Sequence, residues 1–276
     1  MMSLMLKLLV ITLLLSSLAQ ANTSDTVKKF LLKNFGHNPA LKSIDINVTN
    51  SISIKNQGDW KAYFVSIKAV IKKDNREVSQ KMVWFSDGKV VTKELYNLQK
   101  GTDLKDLVSL PFKDEYYSKS NLIYGNVNAK HKVAIFSDPL CPFCKRFVPP
   151  AIEFMKKQPN KFAIYYYHFP LPGLHPASVE LVKAARALEL KGEKDVVLRL
   201  YKVKVNPREK SQEKILKAFN KAMGSNITIK EMNDTKVLKH LLKDLNIAGD
   251  LMVGGTPTMF LDGKIDKEKN KYKTVK

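Results

Sequence analysis

Cysteine is scarce in this chain: its 276 residues hold two, Cys141 and Cys144. That excludes a scaffold stapled by several disulfides. A structural disulfide across so short a loop constrains the unfolded chain little and would be a poor staple. Zinc needs two further ligands, and the five histidines (His37, His131, His168, His175, His240) show no second paired motif, so no metal is expected. Histidine is absent between Asn38 and Lys130, and no acids face each other at strand spacing there, so that stretch offers nothing catalytic. Long apolar runs are missing too: Leu8 to Leu15 is too short to favour a membrane span. Acidic residues are few, 26 against 47 basic, for a net charge of +21. Such an excess draws a protein to anionic membranes or acidic clients, or it merely solubilises lysines spread over solvated faces. The lack of a contiguous patch or groove motif favours the second reading.

What is present centres on Lys132 to Pro150, KVAIFSDPLCPFCKRFVPP. Val133 to Phe136 reads as a buried strand, Ser137 to Leu140 as a turn, and Cys141-Pro142-Phe143-Cys144 as the first turn of a helix running to about Gln158. That spacing puts both sulfurs on one side of the turn, Cys141 at the exposed tip and Cys144 towards the body, placed to react with each other. The helix dipole and unpaired N–H groups favour negative charge at a helix start, so Cys141 is expected to ionise more easily than a free thiol. Pro142 suits a helix start because its missing N–H costs nothing there. Cys144 is then the thiol that breaks a mixed disulfide, and redox chemistry is the leading reading.

Met1 to Ala21 reads as a secretory signal: Lys7 as a thin basic region, LLVITLLL as the apolar region, and Ala19-Gln20-Ala21 as a cleavage site. An uncleaved anchor is the alternative. No cysteine follows the apolar region, so lipid anchoring is not suggested. Export makes the single CxxC look like a handler of disulfides, and together with the lack of any binding module it disfavours nucleic acid as a partner.

Residues 22–98 read as one small domain. Thr26 to Phe35 is a candidate helix, capped by Ser24 or Asp25 and stopped by Gly36. Alternation at Ile44, Ile46 and Val48, then at Tyr63, Val65 and Ile67, marks strands, and Asp87-Gly88 joins Val83–Phe85 to Val90-Val91 as a hairpin. Trp60, Tyr63 and Trp84 read as core. So small a core fits a scaffold that pairs with a second copy. Residues 99–120 read as a connector, with Thr102 capping a short helix that carries Leu104, Leu107 and Val108 and that Pro111 ends.

Residues 121–276 read as β, β, α, β and then helices: Leu122 to Tyr124, Lys132 to Phe136, the CxxC helix, Phe162 to Phe169, a helix from Pro176 to Leu190, and further helices at Ser211 to Met223 and Thr235 to about Met252. After Gly254-Gly255 and Thr256-Pro257 come a strand, Thr258 to Leu261, and the turn Asp262-Gly263. His168 and His175 could lie near the active site, but each is as readily a structural residue. Asp45 to Thr49 and Glu231 to Thr235 resemble the extended bacterial glycosylation sequon, a short match that chance readily produces.

FSDPLCPFCKRF, the strand ending YYYHFPL, the Leu174-His175-Pro176 helix start and Gly255-Thr256-Pro257-Thr258 together resemble the thioredoxin-fold disulfide oxidoreductases of the bacterial periplasm. The signal, the strand-rich first domain and the connector make the chain similar to their DsbC/DsbG type. The catalytic likeness covers roughly Leu122 to Gly263; that of the first domain rests on order and size. The resemblance implies an α+β N-terminal domain followed by an α/β thioredoxin-like domain with a helical insertion at about 174–252. It implies Cys141 as attacking and Cys144 as resolving cysteine, Pro142 and Phe143 facing the substrate, and Thr256-Pro257 as a cis-proline loop that pairs with substrate backbone, where the base rate alone favours trans. It also implies a homodimer formed through the first domain, misfolded or misdisulfided exported proteins as clients, a membrane redox partner that resets the cysteines, and no cofactor beyond the Cys141–Cys144 disulfide. Two features depart from the pattern. The middle dipeptide lacks the histidine that helps DsbA-like oxidants stabilise the thiolate, and a lysine-rich tail stands where the fold adds a fuller strand and helix. The leading expectation is a disulfide isomerase; a DsbA-like oxidase and a dimeric holdase chaperone are the alternatives.

Overall fold

The computed structural model describes residues 23–276, so the expected signal at 1–21 lies outside the described residues. The chain divides into two compact units between Val108 and Ser109. In the first, residues 23–35 form helix α1, and β1 (Leu41–Ser53), β2 (Lys61–Ile71), β3 (Glu77–Ser86) and β4 (Val91–Thr92) form an antiparallel meander in that order. Val27 and Leu31 pack on Ile46, Tyr63, Val65 and Trp84. Ser24 and Asp25 lie within the helix and do not cap it. Gly36 ends it where a side chain would meet the Leu32 carbonyl at 2.5 Å. Tyr63 and Trp84 are buried and Trp60 half-buried. The Asp87-Gly88 turn forms as expected, Asp87 accepting the N–H groups of Lys89 and Val90 at 2.9 Å each. Val90, however, is exposed in the loop.

The expected connector is not a free segment. Its first part adds the hairpin β5 (Tyr96–Asn97) and β6 (Thr102–Asp103) and a 3-10 turn, Leu104–Leu107, capped by Asp103 and not by Thr102. Its second part supplies core to the other unit: Phe112 is buried among the rings of Tyr116, Tyr117, Phe136, Tyr167 and Phe260, and its N–H donates to the Gly263 carbonyl at 2.8 Å. The irregular stretch that carries it has no periodic pattern by which the sequence could show this burial.

The second unit is built on a five-stranded sheet of β7 (Leu122–Tyr124), β8 (His131–Ser137), β9 (Phe162–His168), β10 (Thr258–Leu261) and β11 (Lys264–Ile265), in the order β11-β10-β8-β9-β7. Strands β8 and β9 are parallel, joined through α2 (Pro142–Lys156); β7 and β10 run antiparallel to their neighbours. Side chains alternate across this sheet with the two-residue period of strands. Val133, Ile135, Ile164, Tyr166 and Met259 meet α2, while Ala134, Phe136, Tyr165, Tyr167 and Phe260 meet the opposite layer. Gly125, at φ +84°, follows β7 where a Cβ would lie 1.9 Å from the Phe162 carbonyl. Inside α2, Pro149 and Pro150 have no N–H to give the carbonyls of Lys145 and Arg146, yet the helix continues to Lys156.

The insertion comprises α3 (Ala177–Leu190), α4 (Val196–Leu200), α5 (Gln212–Met223), α6 (Ile229–Met232) and α7 (Thr235–Asp250). Pro176 is the residue before α3 and not its first member. Ser211 caps α5 and Gly224, at φ +58°, ends it. The short α4 and α6 fall below the length at which periodicity is legible. Leu181, Leu188, Ile215 and Phe219 form the insertion's own core with Leu140. Ile247, Ala248 and Leu251 bring the last helix and its end onto the sheet. In the lysine-rich tail, Asp266 accepts the N–H groups of Lys269 and Lys271, and buried Tyr272 packs edge-on against Phe147 and Phe154 of α2. One aromatic ring thus covers part of the α2 surface.

A buried ionic cluster ties α3 and α7 to β9. Arg186 reaches Glu189 at 3.0 Å and Asp244 at 3.2 Å; Asp244 also accepts from Asn121 at 2.8 Å and from the His168 N–H at 3.0 Å. Burial is the largest influence on both carboxyls and pushes them up; Arg186 offsets it, leaving Glu189 below and Asp244 above the ordinary range. Removing the cation strands two buried carboxylates, so Arg186→Ala is expected to cost about 3–5 kcal/mol of unfolding free energy in a urea titration. A loss within experimental error of zero refutes this account of the cluster.

Candidate active site

Strand β8 ends at Ser137, and a tight turn delivers the chain to α2. Asp138, fully buried, organises that turn: its carboxylate accepts the Leu140 N–H at 2.7 Å and its carbonyl the Cys141 N–H at 3.2 Å. Cys141 is the N-cap and Pro142 stands in the first turn of α2. The Lys145 N–H donates to the Cys141 carbonyl at 3.0 Å, closing that turn. Phe143 is 64% exposed, Cys141 5% and Cys144 0%. The expected tip is therefore corrected: Pro142 and Phe143 form it, and Cys141 lies beneath. What covers Cys141 is the segment before β10. The Thr256–Pro257 bond is cis, and the Cys141 Sγ donates to the Thr256 carbonyl at 3.6 Å. Cys141, Cys144, Thr256 and Pro257 come together from positions more than a hundred residues apart, while Pro142 and Phe143 face outward.

The two sulfurs, both free thiols here, are not equivalent. Burial pushes the Cys144 thiol up to about 11, against opposing pulls from the Ser137 and Thr256 hydroxyls and the Asp138 backbone. Ser137 Oγ in turn lies 2.6 Å from the Tyr201 hydroxyl, which lies 2.8 Å from that of Tyr166. Burial raises both phenols, so they remain neutral hydroxyls at physiological pH. At pH 7 a thiol of pKa about 11 is ionised in about one molecule in 10⁴. Of the two thiols, Cys144 is the one that burial holds in its neutral form.

The histidines separate. His175 Nδ1 is 3.1 Å from Asp138, whose carboxylate also accepts the Leu171 N–H at 2.8 Å, so His175 helps clamp the turn ahead of the cysteines. His168 is buried beside Glu189 at 3.4 Å, in the ionic cluster between helices. Sequence reasoning missed Ser137, Asp138, Tyr166 and Tyr201. The first two carried a signal, adjacency to the CxxC; Tyr201 carried none, because only the fold of the insertion brings it to β8.

Residues 117–276 match the thioredoxin family. Among curated proteins none matches the chain. Solved structures similar to it include a thioredoxin-like oxidoreductase from Silicibacter pomeroyi DSS-3, at 18% identity over 54% of this chain and 84% of that one, with a TM-score of 0.46. Proteus mirabilis ScsC in a compact conformation is 25% identical over 55% of this chain and 73% of that one, with a TM-score of 0.44. The thiol-disulfide exchange protein alpha-DsbA2 from Wolbachia pipientis is 23% identical over 58% and 87%, with a TM-score of 0.46. With a parallel β8-α2-β9 unit carrying the CxxC at its helix start, and a family match running from Tyr117 to the last residue, the chain belongs to the thioredoxin family.

Proposed function

We propose that this protein is a thiol:disulfide oxidoreductase of the periplasm that works as a disulfide isomerase of the DsbC/DsbG type on misdisulfided exported proteins. The observation that carries the isomerase reading is the burial of Cys144. Cys141 as thiolate attacks a client disulfide; its sulfur bonds to one client sulfur and the other leaves as a client thiolate. Resolution by Cys144 needs its thiolate, and burial keeps that species rare. The mixed disulfide then lasts long enough for a client thiol to attack it, which forms a new client disulfide and returns Cys141 with no net oxidation. When Cys144 does attack, the client leaves reduced and a Cys141–Cys144 disulfide remains, which a membrane redox partner would reduce. No cofactor enters either route.

The exposed Pro142-Phe143 tip and the Thr256-Pro257 segment would receive the client, the latter through its backbone. The first unit, with its small core and edge strand β1, would join two copies. An oxidase runs the same residues in the opposite direction, and a holdase would use the dimer without them.

Three outcomes are expected. Cys141→Ala abolishes recovery of a scrambled multi-disulfide client; undiminished recovery leaves the holdase reading. Cys144→Ala retains at least part of that recovery while accumulating mixed disulfides on non-reducing gels. The decay of a mixed disulfide between wild-type Cys141 and a small thiol rises about tenfold per pH unit from pH 7 towards 10, because a raised thiol pKa means that thiolate is gained only as pH climbs. A decay rate that levels off below pH 9 contradicts the assignment of Cys144.

A further inference from the structure

Immediately beside the first turn of α2 the insertion opens a cleft of about 770 Å³, lined by Lys145, Tyr201, Lys202, Val203, Lys204, Val205 and Asn206. Three of these are lysines and none is acidic. Lys145, Lys202 and Lys204 are all exposed, and among the described residues none of the three forms an ion pair. The segment that walls the cleft is neither helix nor strand. Val203 is buried and Val205 packs on the insertion core, while Lys202, Lys204 and Asn206 face solvent, the two-residue alternation of an extended chain. Among the described residues the backbone N–H groups of Lys204, Val205 and Asn206 donate to no protein acceptor. An edge with open backbone donors is what an extended peptide pairs with, and alternate side chains set its specificity.

We propose that this cleft binds an extended, acidic segment of the client polypeptide. The open backbone would pair with the segment's main chain, and Lys145, Lys202 and Lys204 would meet its carboxylates. The inference deepens the thiol-exchange reading by naming the clients it favours. The cleft shares its wall with the CxxC through Tyr201, whose hydroxyl reaches Ser137, and through Lys145, the neighbour of Cys144. A segment held there delivers a nearby disulfide to Cys141. Three lysines of the chain's excess thus line a cleft next to the CxxC helix. A peptide is favoured over a lipid headgroup because the wall offers unpaired backbone donors as well as charge.

The test uses the full mature chain and fluorescent, cysteine-free peptides of equal length, rich in glutamate, glutamine or lysine, read by anisotropy. Being cysteine-free, they judge the cleft even if exchange chemistry fails. The glutamate peptide is expected to bind about tenfold more tightly than the glutamine peptide at low salt, with the gap closing at high salt as screening shortens the reach of the charges. Lys202→Gln/Lys204→Gln narrows the gap about three- to fivefold, whereas an equal loss of charge on α7, Lys239→Gln/Lys243→Gln, does not. In parallel, disulfide peptides with the same flanks show the same order in kcat/KM, with the glutamine peptide unchanged by the cleft variant. Equal affinity for all three peptides overturns the proposal, as does an acidic preference that the cleft variant leaves intact. So does a result in which phosphatidylserine vesicles or inorganic phosphate, and not the peptide, lose binding in that variant.

Discussion

The candidate active site depends on holding both sulfurs out of water beneath the Pro142-Phe143 tip, Cys144 the deeper of the two. Cys144 sits one turn inside α2, pressed onto β8 and β9, and every element around it contributes to its burial. A thiol in that place is stabilised in its neutral form because ionisation would put charge where no water can solvate it. The neighbouring hydroxyls of Ser137 and Thr256 soften the penalty without cancelling it.

Holding that arrangement takes more than the helix. Asp138 fixes the turn on one side through Leu140 and Cys141, and on the other through Leu171 and His175. A single buried carboxylate thus ties the strand end, the approach to the cysteines and the start of the insertion into one piece. Hydrogen bonds to a carboxylate are worth about twice those between neutral groups, which suits a junction where small displacements would misplace the sulfurs. The insertion returns to the same place through Tyr201, whose hydroxyl lies beside that of Ser137.

The insertion carries a core of its own beside the thioredoxin-like sheet. Its helices bury a core of their own around Leu181 and Phe219, which frees the irregular stretch after α4 to face outward as a cleft wall. The Arg186 cluster fixes the insertion against β9 from the opposite side.

Local pattern determined much of this. Two cysteines at one spacing, Pro142 at a helix start, apolar alternation in β1 and β2 and the apolar run of β8 are short-range facts, and the structure has each where the sequence puts it. The cis Thr256–Pro257 segment beside Cys141 was legible through resemblance, since the residues alone favour the trans form. Tertiary structure decided the rest, because burial is a property of what arrives from elsewhere in the chain. Phe112 reads as part of a linker until five aromatic rings surround it. Cys141 reads as an exposed tip until the Thr256 carbonyl covers it, and His168 as a catalytic candidate until Glu189 encloses it. Tyr201 and the lysine-lined cleft have no local signature at all. Sequence determined which atoms could react; the packing of distant segments determined how deeply each of the two thiols is buried.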